Sequence, residues 1–141
     1  MPAALIVFYG SLMEGLTLAG KPDLAALGAR CLSPCAFPGV LWDTGRGHPA
    51  LTGLGATDAG TVHGELWELS DRDAALPPLD AFEGLYDGDD DASAYLRRRV
   101  VCDDPAGVEA WIYLWNGPTS GFARLPGGSW RDAAPPEART P

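Results

Sequence analysis

Three places along the chain combine residue types that can bind a small anion or move a proton. The first is the tetrapeptide Tyr9-Gly10-Ser11-Leu12, which directly follows the apolar run Leu5–Phe8. A glycine allows backbone conformations and close approaches that a side chain prevents, and successive N–H groups in such a turn can form an anion site. The hydroxyls of Tyr9 and Ser11 add donors and acceptors. The pattern is typical of a cradle for a carboxylate or carbonyl oxygen, and also of a plain turn after a strand.

Glu83 is the second candidate, as an acid or base. It lies between Phe82 and Gly84, at the end of an apolar helical turn. A carboxylate against aromatic surface loses water, which raises its pKa and makes it a better proton acceptor near neutral pH. The alternative is a glutamate at a helix end that faces solvent.

The third candidate is the pair Tyr95 and Arg97. Residues two apart in a strand point to the same face of the sheet. A phenol and a guanidinium side by side can hold a carboxylate or orient a glutamate. Ordinary alternation on an exposed sheet face is the competing interpretation.

Short strands separated by glycine and proline are predicted to position these groups. A strand with two prolines, Arg30–Leu41, is predicted to be irregular or to lie at a sheet edge. Apolar runs and alternation predict the other strands, at Leu5–Phe8, around Ala50–Thr52, and at Thr61–Leu69, Tyr95–Cys102 and Glu109–Trp115.

Helical segments are predicted to be few and short. Asp23–Ala29 has the composition for one or two helical turns, and Ser70 is a good helix N-cap. Pro77 and Pro78 are expected to interrupt the helix after Ser70, so that a second short helix, Leu79–Glu83, ends at the next glycine. Helices do not alternate regularly with strands, which predicts an α+β fold with a mostly antiparallel sheet or small barrel.

The chain has the length of one domain, predicted here to span residues 1–130. Residues 131–141 are rich in proline and alanine and are predicted to form a flexible tail. The acidic stretch at residues 87–91 is interpreted as a solvated turn, because it lacks the ligand spacing and closing glutamate of a calcium loop.

Charge and hydropathy exclude several classes of partner. The net charge of -9 would repel a nucleic-acid backbone and an anionic membrane. No stretch approaches the roughly 20 apolar residues of a membrane span. The first apolar run has no basic region before it, so no signal peptide is expected and a cytoplasmic location is predicted.

Cysteine usage fits a reducing compartment. The chain has three cysteines, Cys31, Cys35 and Cys102, which is not an even disulfide framework. The Cys31/Cys35 spacing has no second Cys/His pair to complete a zinc site, so buried structural thiols are predicted and no metal.

Five motifs occur in one order along the chain: Tyr9-Gly10-Ser11-Leu12, Gly47-His48-Pro49-Ala50, VHGELWEL at residues 62–69, LDAFEG at residues 79–84, and Tyr95-Leu96-Arg97. Each is weak alone. Together and in register they resemble the γ-glutamylcyclotransferase-like family, which includes the AIG2-like and γ-glutamylamine cyclotransferase proteins. The match spans residues 4 to 130.

This resemblance implies a small mixed barrel with helices outside it and one central cavity. It implies release of 5-oxoproline from γ-glutamyl compounds without a metal or cofactor. On this resemblance Glu83 is the catalytic acid/base, residues 9–12 bind the substrate, and Tyr95 lies near the cavity. Arg97, which shares a strand face with Tyr95, is predicted together with it to bind substrate. Two departures from the family pattern are a longer, more acidic connection between Gly84 and Tyr95, and His48 in place of a tyrosine.

Three functions remain open at this level. The first is a γ-glutamyl cyclotransferase acting on an amine, amino acid or peptide derivative; the second is a non-catalytic binder of a glutamate-like ligand; the third is a hydrolase that uses Glu83 to activate water. The acidic stretch is expected to repel the extra carboxylate of glutathione and to tolerate a cationic leaving group. A small γ-glutamyl substrate is the expected partner, and the oligomeric state is left open, with a homodimer as one option.

Overall fold

The computed structural model describes residues 2–56, 58–86 and 88–139, so Asp87 of the acidic stretch and residues 140–141 of the predicted tail lie outside it. The elements in chain order are β1 (Ala4–Phe8), β2 (Ala29–Asp43), β3 (Pro49–Thr52), β4 (Gly60–Leu69), α1 (Arg72–Phe82), β5 (Tyr95–Val101), β6 (Glu109–Trp115), β7 (Ala123–Arg124), α2 (Trp130–Ala133) and a 3₁₀ turn, Pro136–Ala138.

The strands form one mixed sheet in the order β3-β2-β4-β1-β6-β5, with β7 paired to β2. Only the β1–β6 pair is parallel among the described strands. The predicted α+β class and mostly antiparallel sheet are confirmed. Backbone pairing between the described strands does not close the sheet into a cylinder, although its end strand β3 approaches β6.

β1 lies at the centre of the sheet and of the core. Ile6, Val7 and Phe8 are almost wholly buried, since β1 has β4 on one side and β6 on the other. The apolar run that predicts this strand reflects burial on both faces. The strand ends where the tetrapeptide at residues 9–12 begins, so the core anchors that tetrapeptide.

β2 is irregular, as the sequence predicts, because its register against β4 shifts between Cys31 and Ser33. It pairs with a different strand in each half, residues 29–39 with β4 and residues 40–43 with β3. Pro34 and Pro38 lie in the half that has β4 on one side and, on the other, only a bridge from Ala36 to Asp104. The prolines therefore occupy the part of β2 with the fewest backbone partners, which is where a missing N–H costs least.

Helix α1 begins one residue later than predicted. Asp71 is the N-cap, and its Oδ1 accepts hydrogen bonds from the N–H groups of Asp73 (3.2 Å) and Ala74 (3.3 Å). Ser70 does not cap the helix because it still belongs to the sheet side of the connection, where its N–H donates to the Gly28 carbonyl at 3.0 Å.

The two prolines do not divide α1, contrary to the prediction. Pro77 and Pro78 lie inside one continuous 11-residue helix. Its face formed by Ala75, Leu76 and Leu79 is buried in the core. Tertiary packing of that face outweighs the two lost backbone hydrogen bonds, and most helical stability in proteins comes from such packing.

Asp23–Ala29 makes one hydrogen-bonded turn, within the predicted one or two, and this turn ends at Gly28 with φ +72°. Residues 131–139 of the predicted tail pack onto the domain after the fully buried Trp130. The Thr17 N–H donates to the Ala138 carbonyl at 2.8 Å, which ties this segment to the chain that follows the tetrapeptide.

No helix in the described part of the chain is both long and apolar enough to span a membrane.

Candidate functional site

A cavity of about 290 Å³ lies where β1, α1 and the β2–β3 connection meet β5 and β6. Six of the seven predicted site residues line it: Tyr9, Gly10, Ser11, Leu12, Glu83 and Tyr95. Arg97 is not among the lining residues. The fold thus brings together groups that are more than 80 residues apart in sequence.

Two glycines let the backbone segments of the site approach each other. A Cβ on Gly10 would lie 2.8 Å from Cγ of Pro49, and one on Gly64 would lie 2.6 Å from the Phe8 carbonyl oxygen. Gly10 is not in the left-handed region, so it is close packing, and not the backbone angle, that requires glycine there. Its predicted conformational role is corrected accordingly.

The tetrapeptide presents unpaired hydrogen-bond donors at the cavity. The backbone N–H groups of Gly10, Ser11 and Leu12 have no acceptor within the described residues. Oγ of Ser11, in a residue only 7% exposed, has no partner there either. Leaving a buried polar group unsatisfied costs about 1–3 kcal/mol, so this cluster is suited to a carboxylate or carbonyl oxygen.

The C-terminus of α1 places Glu83. Glu83 is the C-cap, and Gly84 follows with φ +68°. The N–H of Gly84 donates to the Ala81 carbonyl (3.2 Å) and that of Leu85 to the Asp80 carbonyl (2.9 Å), which is the bonding pattern of a Schellman motif. The predicted stop at Gly84 is confirmed, and the capping bonds hold Glu83 on the cavity wall.

Burial and a like charge both act on Glu83. Burial is the larger cause and the Asp80 carboxylate the smaller, and together they raise the pKa of Glu83 from 4.5 to about 8. No hydrogen bond contributes to this shift. A partly exposed carboxyl group that accepts no hydrogen bond from the described residues and titrates near neutral pH is able to take up and release a proton during a reaction.

Asp80 connects the helix to the far wall of the cavity. Its Oδ1 accepts a hydrogen bond from the Tyr113 hydroxyl at 2.6 Å, and its Oδ2 pairs with Nη1 of Arg97. The Tyr113 carbonyl in turn accepts from the Tyr9 hydroxyl at 2.5 Å. Arg97 therefore acts on the site through Asp80, and its predicted direct contact with substrate does not match its position outside the cavity lining.

Tyr95 is held by the β2–β3 connection. Its hydroxyl donates to the Pro49 carbonyl at 2.6 Å, and Nδ1 of His48 lies 3.0 Å from the same hydroxyl oxygen. Since Tyr95 has one proton to donate, the network assigns the His48 proton to Nδ1. Burial is the main cause that lowers the pKa of His48, so the ring is neutral near pH 7.

Asp80 and Tyr113 were not singled out from the sequence, and only Asp80 had a usable local signal. Asp80 lies three residues before Glu83 on one helix, a spacing that brings side chains together. Tyr113 is paired with Arg97 across β5 and β6, but that register is set by the fold and is not visible locally.

The acidic stretch does not line the cavity within its described residues, 88–91. It forms a turn around the buried Ser93, whose Oγ accepts from the Tyr86 N–H (2.8 Å) and donates to the Asp89 carbonyl (3.0 Å). The charged side chains at residues 89–91 are exposed, as a solvated turn requires.

One cluster outside the cavity has metal-ligating residue types. Ligand atoms of Glu14, Cys31 and Glu65 lie within 4.8 Å of one another. The Glu65 carboxylate already accepts hydrogen bonds from the Glu14 N–H, Trp67 and Arg131. Burial, more than the nearby carboxylates, raises the pKa of Cys31 to about 11, so the thiol stays protonated and is a poor ligand.

Comparison with known proteins fits this architecture. The family model described as gamma-glutamyl cyclotransferase, AIG2-like, matches residues 6–132. The chain belongs to this family. A search of the curated proteins gives no significant match.

Solved structures share the fold. The uropathogenic Escherichia coli-specific protein c4763 aligns with a TM-score of 0.71 at 21% identity, over 94% of this chain and 96% of that one. The Escherichia coli protein ytfP aligns with a TM-score of 0.63 at 27% identity, over 92% and 97%. Allophanate hydrolase from Kluyveromyces lactis contains the same fold in part, with a TM-score of 0.71 at 12% identity over 94% of this chain and 21% of that one. For c4763 and the allophanate hydrolase the likeness concerns the fold alone.

Proposed function

We propose that this protein is a γ-glutamyl cyclotransferase that releases 5-oxoproline from a γ-glutamyl amine, amino acid or peptide. Family membership supports the reaction class. The observation that carries the assignment is that one cavity contains both a partner-free carboxyl group with a pKa of about 8, on Glu83, and the unpaired donors of residues 10–12.

The proposed chemistry uses Glu83 as a proton shuttle. The substrate's α-amine has a pKa near 8, so much of it is protonated at neutral pH. The neutral amine is the nucleophile, and the Glu83 carboxylate takes one of its two protons as the nitrogen forms a bond to the γ-carbonyl carbon. Glu83 then gives the proton to the departing nitrogen as the amide C–N bond breaks. Acid–base catalysis of this kind contributes about 10²–10⁴-fold.

The tetrapeptide has a binding role in this proposal. Its N–H groups and the Ser11 hydroxyl would hold the substrate carboxylate or the developing oxyanion, where one donor contributes roughly 3–4 kcal/mol. Ser11 is a binder and not a nucleophile, because no base in the described residues is hydrogen-bonded to its Oγ. The substrate and Glu83 together account for every bond and proton in the reaction, so the proposal invokes no cofactor.

The experiment that tests the proposal is product analysis with a matched variant. The purified protein is incubated with γ-glutamyl amines, amino acids and glutathione, and 5-oxoproline and free glutamate are separated by mass. We expect 5-oxoproline from the native protein and a 10²–10⁴-fold slower rate from Glu83→Gln, with Glu137→Gln, an exposed glutamate, as the control.

Other products would identify the competing functions. Free glutamate in place of 5-oxoproline would indicate a hydrolase. Saturable binding of γ-glutamyl compounds with no product from any of them would indicate a non-catalytic binder, and undiminished turnover by Glu83→Gln would remove Glu83 from the mechanism.

The rate is also expected to depend on pH. The carboxylate form of Glu83 is the form that accepts the amine proton, and this form becomes populated as the pH rises towards about 8. The value of kcat/KM should therefore increase over this range.

A further inference from the structure

Arg46 gives the cavity its positive charge. It is the one lysine or arginine among the cavity-lining residues that the structure describes. Glu83 is the one carboxyl group among the same described lining residues. The lining tyrosines and His48 are neutral near pH 7. The charge at this end of the cavity therefore depends mainly on Arg46, with the Asp43 carboxylate, which also acts on the pKa of His48, as an opposing charge.

The backbone around Arg46 is held in place. Its N–H donates to Oγ1 of Thr44 at 3.2 Å, and the Thr44 hydroxyl donates to the His48 carbonyl at 2.7 Å. The adjacent N–H of Gly45 donates to Oδ1 of Asp43 at 2.8 Å. This tight connection between β2 and β3 keeps Arg46 beside the cavity while its side chain stays exposed to solvent.

The Arg46 guanidinium has no carboxylate partner within 4.0 Å in the described part of the chain. Arg97 differs, because Asp80 neutralises it behind the cavity wall. A guanidinium matches a carboxylate with two parallel donors, which makes an unpaired arginine at an opening suited to an acidic ligand group.

The acidic stretch does not oppose this assignment at close range. The described residues 88–91 lie outside the cavity lining, and Asp90 is 4.0 Å from Arg98 instead. Charges in solvent are largely screened beyond about 8–10 Å at ordinary salt. The expectation of a cationic leaving group rests on that stretch, whereas the present inference rests on the charge that lines the cavity.

We propose that Arg46 selects the leaving group, so that this protein prefers γ-glutamyl compounds whose departing amine carries a free carboxylate. Such compounds are γ-glutamyl amino acids and peptides, as opposed to simple γ-glutamyl amines. The inference rests on the proposed function, in which residues 10–12 hold the glutamyl end. The departing group then extends towards solvent, where Arg46 is exposed.

The test compares two substrates of nearly the same shape. γ-Glutamyl-alanine and γ-glutamyl-alaninamide differ only in a carboxylate replaced by a carboxamide. Their kcat/KM values are measured for the native protein, Arg46→Gln, Arg46→Lys and Arg30→Gln. Arg30 is exposed, paired with Glu68 and outside the cavity lining, so its variant controls for the change in net charge.

We expect the native protein to favour γ-glutamyl-alanine by about fivefold, the size of one solvent-exposed ion pair. Arg46→Gln should abolish the preference, Arg46→Lys should retain part of it, and Arg30→Gln should retain all of it. The preference should shrink as salt is added.

Equal kcat/KM values for the two substrates, or a preference that survives Arg46→Gln, would overturn the inference. An equal loss of kcat/KM on both substrates in Arg46→Gln would also overturn the inference, because Arg46 would then bind the glutamyl end. Absence of product from both would instead reject the cyclotransferase. Calorimetric binding of the two compounds to Glu83→Gln and to Glu83→Gln/Arg46→Gln then decides whether Arg46 still discriminates between them.

Discussion

Two sets of polar groups on opposite walls of the cavity differ in their hydrogen bonding, and the Tyr9 hydroxyl, bonded to the Tyr113 carbonyl, belongs to the paired set. On the wall formed by β1 and α1, Ser11 has no hydrogen-bond partner in the described residues, and no hydrogen bond acts on the Glu83 carboxyl. On the wall formed by β5 and β6, the Tyr95 and Tyr113 hydroxyls donate to Pro49 and Asp80 at 2.6 Å each. Unpaired groups retain bonding capacity for a ligand, whereas paired groups fix the shape of the site.

The largest expected effect on stability concerns Glu83 and is a matter of pH. The native state holds a proton up to about pH 8, while the unfolded chain releases it near pH 4.5. Folding stability from this group therefore decreases as the pH rises from 4.5 to 8 and is lowest above that range.

Glu83→Gln removes this pH dependence. The free energy of unfolding of the variant, relative to that of the native protein, should rise by roughly 2–3 kcal/mol between pH 4 and pH 9. This is about half of the energy that the full pKa shift corresponds to, because the carboxyl group keeps contact with solvent in the cavity. Urea unfolding at both pH values measures the difference. A difference that does not change with pH would mean that Glu83 titrates normally.

Gly10→Ala tests whether the two walls are packed against each other. The new Cβ would meet the Pro49 ring at 2.8 Å, and the Pro49 carbonyl is the acceptor for Tyr95, so the strain should reach the paired wall. We expect a loss of about 1–3 kcal/mol in the free energy of unfolding.

Gly60→Ala is the matched control, since no atom lies within 4 Å of its added Cβ and its φ is not positive. Its effect should stay within about 0.5 kcal/mol. Equal effects of the two substitutions in urea unfolding would argue against tight contact at Pro49.

The smallest expected effects on stability compare the paired hydroxyl of Tyr95 with the unpaired hydroxyl of Ser11. Tyr95→Phe should lower stability by about 1 kcal/mol, since it removes the 2.6 Å hydrogen bond to the Pro49 carbonyl and leaves only the longer contact with His48 Nδ1 at 3.3 Å. Ser11→Ala should leave stability unchanged or slightly raised, because no bond is lost, while KM for a γ-glutamyl substrate rises about tenfold. Thermal unfolding together with initial rates checks both. The comparison of walls fails if Ser11→Ala destabilises the protein as much as Tyr95→Phe does.

Local pattern predicts most of the strands and none of the long-range pairing. The apolar run of β1 and the alternation of β4 are visible in the sequence because burial imposes them residue by residue. The continuous helix through Pro77 and Pro78 is not visible, because its stability comes from the core that Leu76 and Leu79 enter.

The same limit applies to the site. Residues 9–12 and Glu83 stand out because a glycine-containing turn after a strand and a glutamate at a helix end are local features. The contact between Asp80 and Tyr113, 33 residues apart, depends on where α1 lies against β6. Arg97 was predicted to bind substrate because strand alternation shows on which face of the sheet a side chain lies. Alternation does not show which carboxylate pairs with that side chain.

Tyr113 connects two parts of the cavity that are far apart in sequence. Its carbonyl accepts from Tyr9 of the tetrapeptide, and its hydroxyl donates to Asp80 on the helix that carries Glu83. These bonds fix the tetrapeptide relative to the end of α1, and neither involves residues 44–48. Under the proposed function, substitutions at residues 44–48 can therefore change which compounds are accepted while these two bonds are kept.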